Sequence, residues 1–170
     1  MFFEKLKNYN VLLASNSKRR HELLNQLGVQ YKIINQNVDE SFSNELKGSM
    51  ITDYLAKKKS SLLVNNLKKN DILITSDTIV WHKNSPLGKP KNRTEAFKMI
   101  KSLENSCHEV ITSICISTVN FQTIVNEKTL VFFDSIDEND LLYYTKTSDV
   151  LDRAGSYGIQ DYIGHVGIKK

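Results

Sequence analysis

Residues 11–28 read VLLASNSKRRHELLNQLG, and this stretch sets the fold class. Val11 to Ala14 are apolar enough for a covered strand, and Ser15-Asn16-Ser17 can turn and cap. Leu23, Leu24 and Leu27 then recur at helical spacing before Gly28 stops the helix. A buried strand that feeds an amphipathic helix through a short polar loop is the opening unit of an α/β layer fold. The same loop delivers Arg19 and Arg20 to the helix start. Free backbone N–H groups and the positive end of the helix dipole favour phosphate there, and each guanidinium fork adds charge-assisted hydrogen bonds of roughly 1.5–3 kcal/mol. This predicts a phosphate-bearing ligand. The plain alternative is two solvated arginines on an ordinary first turn.

Further along, Tyr31 to Ile34 reads as a second strand, followed by a polar, acidic stretch from Asn37 to Asn44. A long helix is expected from about Ser49 to Leu67, with Ile51, Leu55, Leu62 and Leu63 on its apolar face. Lys59 falls on that stripe. It is either an amine snorkelling from the edge of the core or an ammonium delivered into a cleft. Asp71 to Ser76, DILITS, is a short strand that delivers Asp77 and Thr78 before a second apolar run, Ile79 to Trp81. A carboxylate at the end of a buried strand is costly unless paired or metal-bound. A turn from His82 to Gly88 leads to Lys89-Pro90, and Asn92-Arg93-Thr94-Glu95 resembles a capping box for a helix carrying Ala96, Met99, Ile100 and Leu103. Glu109 to Thr118 and Glu127 to Phe133 read as strands, Asp137 caps a helix from Glu138 to about Lys146, Arg153 to Gln160 is a glycine-punctuated loop, and Tyr162 to Ile168 reads as a final strand. Strands interleaved with helices predict one mixed central sheet flanked by helices, since only cover on both faces buries runs such as LLA and ILI.

The 170 residues, 40% hydrophobic with two prolines, suit one domain with a real core. The net charge of +4 is small and its lysines are dispersed, which weakens the case for stable nucleic-acid binding. There is no run of the ~20 apolar residues a membrane span needs, and no secretory leader, so cytoplasmic residence is the expectation. Cys107 and Cys115 form no C-x-x-C and read as small core residues, leaving oxygen ligands for any metal. The chain has no G-x-x-x-x-G-K-[ST], G-x-G-x-x-G or G-x-S-x-G motif, which removes P-loop, dinucleotide-fold and serine-hydrolase readings. What stands out is Ser15, Arg19, Arg20, Glu40, Lys59, Asp77 and Lys89. Cations of this number neutralise a polyphosphate, while two carboxylates can hold Mg²⁺ and orient or deprotonate water, the requirements of phosphoanhydride hydrolysis.

The chain resembles the Maf family of nucleoside triphosphate pyrophosphatases. The resemblance is carried by seven blocks in order: LAS-x-S-x-RR-x-ELL-x-x-LG within 13–28, VDES at 38–41, LAKKKS at 55–60, SDTIV at 76–80, GKP at 88–90, HEVIT at 108–112 and DRAGSYGIQ at 152–160. It implies a mixed sheet in two lobes with a cleft, as in Maf and inosine triphosphate pyrophosphatase-like folds. It also implies hydrolysis of a nucleoside triphosphate to monophosphate and pyrophosphate with a divalent cation, Mg²⁺ or Mn²⁺. Carried over by motif, Ser15, Arg19, Arg20, Lys59 and Lys89 hold phosphates, with Lys59 and Lys89 counted as catalytic. Glu40 and Asp77 form the acidic pair at metal and water, their two roles not separable by sequence. Thr78 and Gln160 lie near the nucleotide. Thr78 and Tyr157-Gly158-Ile159-Gln160 resemble the dTTP/UTP branch, whereas the 7-methyl-GTP branch carries glutamine after the aspartate and lacks Y-G-I-Q. The family is also associated with inhibition of septum formation.

Lys18 replaces the usual proline of S-P-R-R, Ser148-Asp149-Val150 stands where Gly-Glu-Pro is usual, and Arg153 replaces a lysine. The expectation is a single domain over 1–170 that is shortened at its C-terminus, since family members typically continue with a strand and a helix. The readings set beside dTTP/UTP hydrolysis are a pyrophosphatase for modified purines such as 7-methyl-GTP and an inactive binding homologue acting in cell division. Monomer and homodimer both remain open.

Overall fold

The computed structural model describes residues 2–169. After a short helix α1 (Phe2–Leu6), strand β1 (Asn10–Leu13) enters the sheet between two parallel neighbours, β2 (Tyr31–Ile33) and β3 (Asp71–His82), pairing Leu13 with Ile33 on one side and with Ile74 on the other. Strands β4 (Ser85–Leu87), β5 (Cys107–Ser117) and β6 (Gln122–Phe132) complete six strands in the order β2-β1-β3-β5-β6, with β4 antiparallel to β3. Parallel and antiparallel pairs together make the sheet mixed, as expected. The helices are α2 (Lys18–Gln26), α3 (Ser49–Ser61), α4 (Arg93–Lys101), α5 (Glu138–Thr147) and α6 (Tyr162–Gly167). None is long and apolar enough to cross a membrane.

The chain divides into two compact units. The first takes in the chain up to Asp77 together with Thr112–Asn126, and the second Thr78–Ile111 with the chain from Glu127 onward. Strands β3, β5 and β6 have residues in both. The first unit buries Val11, Leu13, Ile51, Leu55, Leu73 and Cys115. The second has an apolar cluster around Ile100, Leu103, Val131, Phe133, Leu141, Tyr144 and Ile163.

Several elements differ from the sequence-based expectation. The two apolar runs around Asp77 form one continuous strand, so the carboxylate sits in mid-strand instead of at an end. The stretch 82–88 is a hairpin. Lys83 and Asn84 both take positive φ, 47° and 59°, which matches the strand twist in a two-residue turn without glycine. Helix α3 stops at Ser61, and Val64–Asn66 forms a 3-10 turn. A β-branched residue and two asparagines whose amides compete for the backbone do not carry the helix to Leu67. Tyr162–Gly167 is a helix, not a strand. Ile163 and Gly167, four apart, are buried, and a Cβ on Gly167 would lie 2.9 Å from Ile136 Cγ1, so close helix packing decides a run too short for periodicity to decide. The strand reading survives only as a bridge between Phe133 and Ile168. Leu23 on α2 and Leu27 at its C-cap are exposed, α2 has no buried residue, and Cys107 is exposed while Cys115 is buried.

Candidate active site

The loop leaving β1 is organised by Ser15. Its Oγ accepts from the Ser17 amide and from Arg20 Nη1, each at 3.2 Å, and its carbonyl lies 2.8 Å from His21 Nε2. Ser17 occupies the N-cap of α2 but its side chain makes no capping bond, so the serine that folds the turn is Ser15. No acidic residue sits in the first helical turn. The start of α2 therefore presents amides together with Lys18 and Arg19, both exposed, and Arg20, half-buried.

Asp77 is turned toward α3. Lys59 Nζ lies 2.7 Å from Asp77 Oδ1 and 2.8 Å from Glu40 Oε1, so one ammonium joins two carboxylates. The lysine and Asp77 side chains are only 12% and 9% exposed, whereas Glu40 is 56% exposed. The three form a site with one wet side. Burial pushes the Asp77 carboxyl above the ordinary carboxylate range. Lys59 pulls it down, the Glu40 charge raises it and Arg20 lowers it, with burial prevailing.

A second ion pair fastens the Glu40 loop. Lys58 Nζ donates to Asp39 Oδ2 at 3.3 Å and to the Ser41 carbonyl at 3.1 Å, while Asp39 accepts from the Ser41 amide and hydroxyl. Those hydrogen bonds from Ser41, followed by Lys58, hold the Asp39 carboxyl below its usual range. Adjacent acids on the loop thus meet adjacent lysines on α3. Asp39, Ser41 and Lys58 were not singled out from sequence, and the only signal for them was their place inside the VDES and LAKKKS blocks.

The family model described as Maf-like protein matches residues 10–170. The chain belongs to this family. Among relatives of this Maf-like chain, a protein of Christiangramia forsetii named dTTP/UTP pyrophosphatase is 47% identical, over all of this chain and 87% of its own length. Proteins of the same name from Flavobacterium johnsoniae and Bacteroides fragilis are 44% and 41% identical, over 100% and 96% of this chain and 88% and 86% of theirs. The solved structure of the Staphylococcus aureus Ham1 protein matches with a TM-score of 0.54 at 14% identity, over 92% of this chain and 90% of that one, a likeness of fold.

The remaining motif residues of the Maf-like chain lie in its second unit. Lys89 forms an ion pair with Asp152, both largely exposed, and the Gly88 carbonyl accepts from the Gly155 amide at 3.1 Å, so the GKP and DRAGSYGIQ blocks are tied together. Gly155 has φ +69° and packs where a Cβ would lie 2.6 Å from Val80 Cγ2, which only glycine tolerates. In the Y-G-I-Q segment, Tyr157 Oη lies 2.6 Å from His108 Nε2, and Tyr144 Oη accepts from the Gly158 amide and donates to Asp161 Oδ2 at 2.7 Å, with Arg153 on the same carboxylate. Gln160 is exposed at the end of this braced loop and Thr78 is half-buried on β3. Among the described residues no three His, Cys, Asp or Glu side chains gather as a metal cage. Asp77 and Glu40 are the acidic pair that share a neighbour.

Proposed function

We propose that this chain hydrolyses nucleoside triphosphates between the α and β phosphates, releasing a nucleoside monophosphate and pyrophosphate, with dTTP and UTP preferred. The observation that carries the reading is the contact of Glu40, Lys59 and Asp77, in a chain whose relatives bear the name dTTP/UTP pyrophosphatase. Ser15, Arg19, Arg20, Lys59 and Lys89 bind the phosphate oxygens. Water attacks the α phosphorus, the bond to the bridging oxygen breaks, pyrophosphate leaves, and a carboxylate of the acidic pair takes the proton. Asp77 is the first choice for that base, since a carboxylate raised by burial accepts a proton more readily than an exposed one. Lys59, already in contact with both acids, is placed to offset charge growing on the phosphates.

Asp77 and Glu40 would hold Mg²⁺ or Mn²⁺. A small hard cation commonly takes one or two carboxylates and completes its shell with substrate phosphates and water, so two carboxylates without a protein cage fit that role. When bound, the ion neutralises phosphate charge and polarises the phosphoryl group. Thr78 and Gln160 are the base-recognition candidates, a hydroxyl and an amide that can match the imide edge of thymine or uracil. Free nucleoside triphosphates place the work in the cytoplasm.

Pyrophosphate release with Mg²⁺ across UTP, dTTP, CTP, GTP and 7-methyl-GTP tests the reading. Preferential UTP and dTTP turnover is expected. Rapid 7-methyl-GTP turnover with inert UTP overturns the substrate class, and folded protein silent on every nucleotide overturns the reaction.

A further inference from the structure

Helix α3 is bound to the sheet by a row of buried hydrogen bonds. Thr52, Ala56 and Ser60 are spaced four apart, so they share one face of the helix. Each makes a polar contact at a point with no exposed surface. Thr52 Oγ1 lies 2.6 Å from Ser113 Oγ, whose hydroxyl donates to Asp53 Oδ1 at 2.6 Å. Ser60 Oγ lies 2.7 Å from Ser117 Oγ, and Gln122 Nε2 donates to both. Between them, Thr75 Oγ1 on β3 donates to the Ala56 carbonyl at 2.7 Å.

The middle tie is the one that bears on the site. Thr75 and Asp77 are two apart on β3, hence on one face of the strand. Ala56 and Lys59 are one helical turn apart on α3. Two neighbouring contacts therefore join the same two elements: hydroxyl to carbonyl, then carboxylate to ammonium. Apolar packing is non-directional and tolerates small slides of a helix over a sheet, while a buried hydrogen bond does not. A slip of α3 by one residue turns every side chain by about 100° and carries Lys59 off Asp77.

We propose that Thr75 is a positioning residue: its buried hydroxyl fixes the register of α3 on β3 and so holds the Lys59 ammonium against Asp77. The proposal deepens the hydrolase reading and rests on it for its effect on turnover. The substitution T75V keeps the shape and removes only the donor. The Ala56 carbonyl still accepts the helical N–H of Ser60, so no buried group is stranded. T75S keeps the donor and serves as the rescue.

Wild type, T75V and T75S are compared in two assays: steady-state UTP hydrolysis with Mg²⁺, and competitive labelling of lysine amines by a succinimidyl ester, read peptide by peptide in a mass spectrometer. In T75V, kcat is expected to fall about ten- to a hundredfold, the scale of a misplaced catalytic group. KM should rise by a smaller factor than kcat falls, because Lys59 binds the substrate phosphates but acts most on the charge that grows in the transition state. Lys59 should label several-fold faster while Lys98 and Lys101, in the other unit, keep their wild-type rates. T75S should restore both readouts. Unchanged kcat and unchanged Lys59 labelling in folded T75V overturn the proposal, and so does T75S failing as badly as T75V, which assigns the effect to shape. If T75V does not fold, T75A, which also removes the donor to the Ala56 carbonyl, takes its place and is read the same way. Wild type silent on every triphosphate overturns the hydrolase reading alone, and the labelling then decides the placement of Lys59.

Discussion

Asp77 carries opposed demands. As a proposed base and metal ligand it must be charged, yet its burial favours the neutral form strongly enough to outweigh Lys59. The folded state then holds the Asp77 proton more tightly than the unfolded chain does. The stability this group contributes is fully present below the unfolded value of 3.8 and is lost as pH rises through the higher folded value. Asparagine cannot ionise. D77N is therefore expected to lose turnover and to gain melting temperature relative to wild type as pH rises above the unfolded value of 3.8 and the buried Asp77 is made to ionise. Thermal melts of both proteins at rising pH check it. A D77N protein that falls further below wild type as pH rises would show that the Lys59 contact outweighs burial. The substitution K59A works in the reverse sense, since it strands the Asp77 charge and should destabilise the fold most at neutral pH.

At the scale of elements, β3 and β5 carry a second pair of titratable groups. His82 and His108 are buried with ring centroids 6.3 Å apart, and His108 packs edge-on against Tyr157 of the Y-G-I-Q segment. Burial, with a smaller push from His82, lowers His108 from 6.5 to about 4. A histidine lowered on folding stabilises the protein fully above the unfolded value, and that stability is lost as pH falls from 6.5 toward about 4, a change of roughly 3 kcal/mol. H108Q, which keeps a polar group for Tyr157 and cannot titrate, is expected to flatten the acid limb of stability across that window. Urea unfolding at several pH values measures it, and an unaltered limb in H108Q assigns acid sensitivity elsewhere. These elements also show what sequence could disclose. Strand β1 and helix α2 were legible because an apolar run, a polar turn and a stopping glycine are local signals. The capping of α4 by Asn92 and of α5 by Asp137 was legible for the same reason. Helix α6 was not, because six residues fit both periods and only packing against Ile136 separates them. The apolar stripe read along α3 had a polar one beside it, Thr52, Ala56 and Ser60, whose partners lie on strands distant in sequence and leave no local mark. Spacing alone left Lys59 between a snorkelling amine and a delivered ammonium. The family resemblance pointed to the second, and the contact with Asp77 and Glu40 is a matter of tertiary structure.

For the whole molecule, the proposed substrate makes charge the governing quantity. The chain carries 23 basic and 19 acidic residues, a net of +4, while a triphosphate approaches with several negative charges. A small net charge gives little long-range attraction by itself, so steering must come from the local group at the start of α2, where Lys18 and Arg19 are exposed and no acid stands in the first turn. Attraction by exposed charges is screened over about 10 Å at 0.1 M salt, whereas the contacts of the nearly buried Lys59 and Asp77 are screened much less. Salt should therefore weaken capture more than chemistry. The expected result is that kcat/KM for UTP falls as ionic strength rises from about 0.02 to about 0.2 M, through KM with kcat nearly constant. K18E tests the source of the attraction, since it reverses a charge at the helix start without touching the carboxylates. It should lower kcat/KM at low salt and flatten the salt dependence, and the two proteins should converge as salt rises. Equal slopes for wild type and K18E would place the steering field elsewhere on the surface, and a salt effect carried by kcat would mean that screening reaches the Glu40–Lys59–Asp77 group itself.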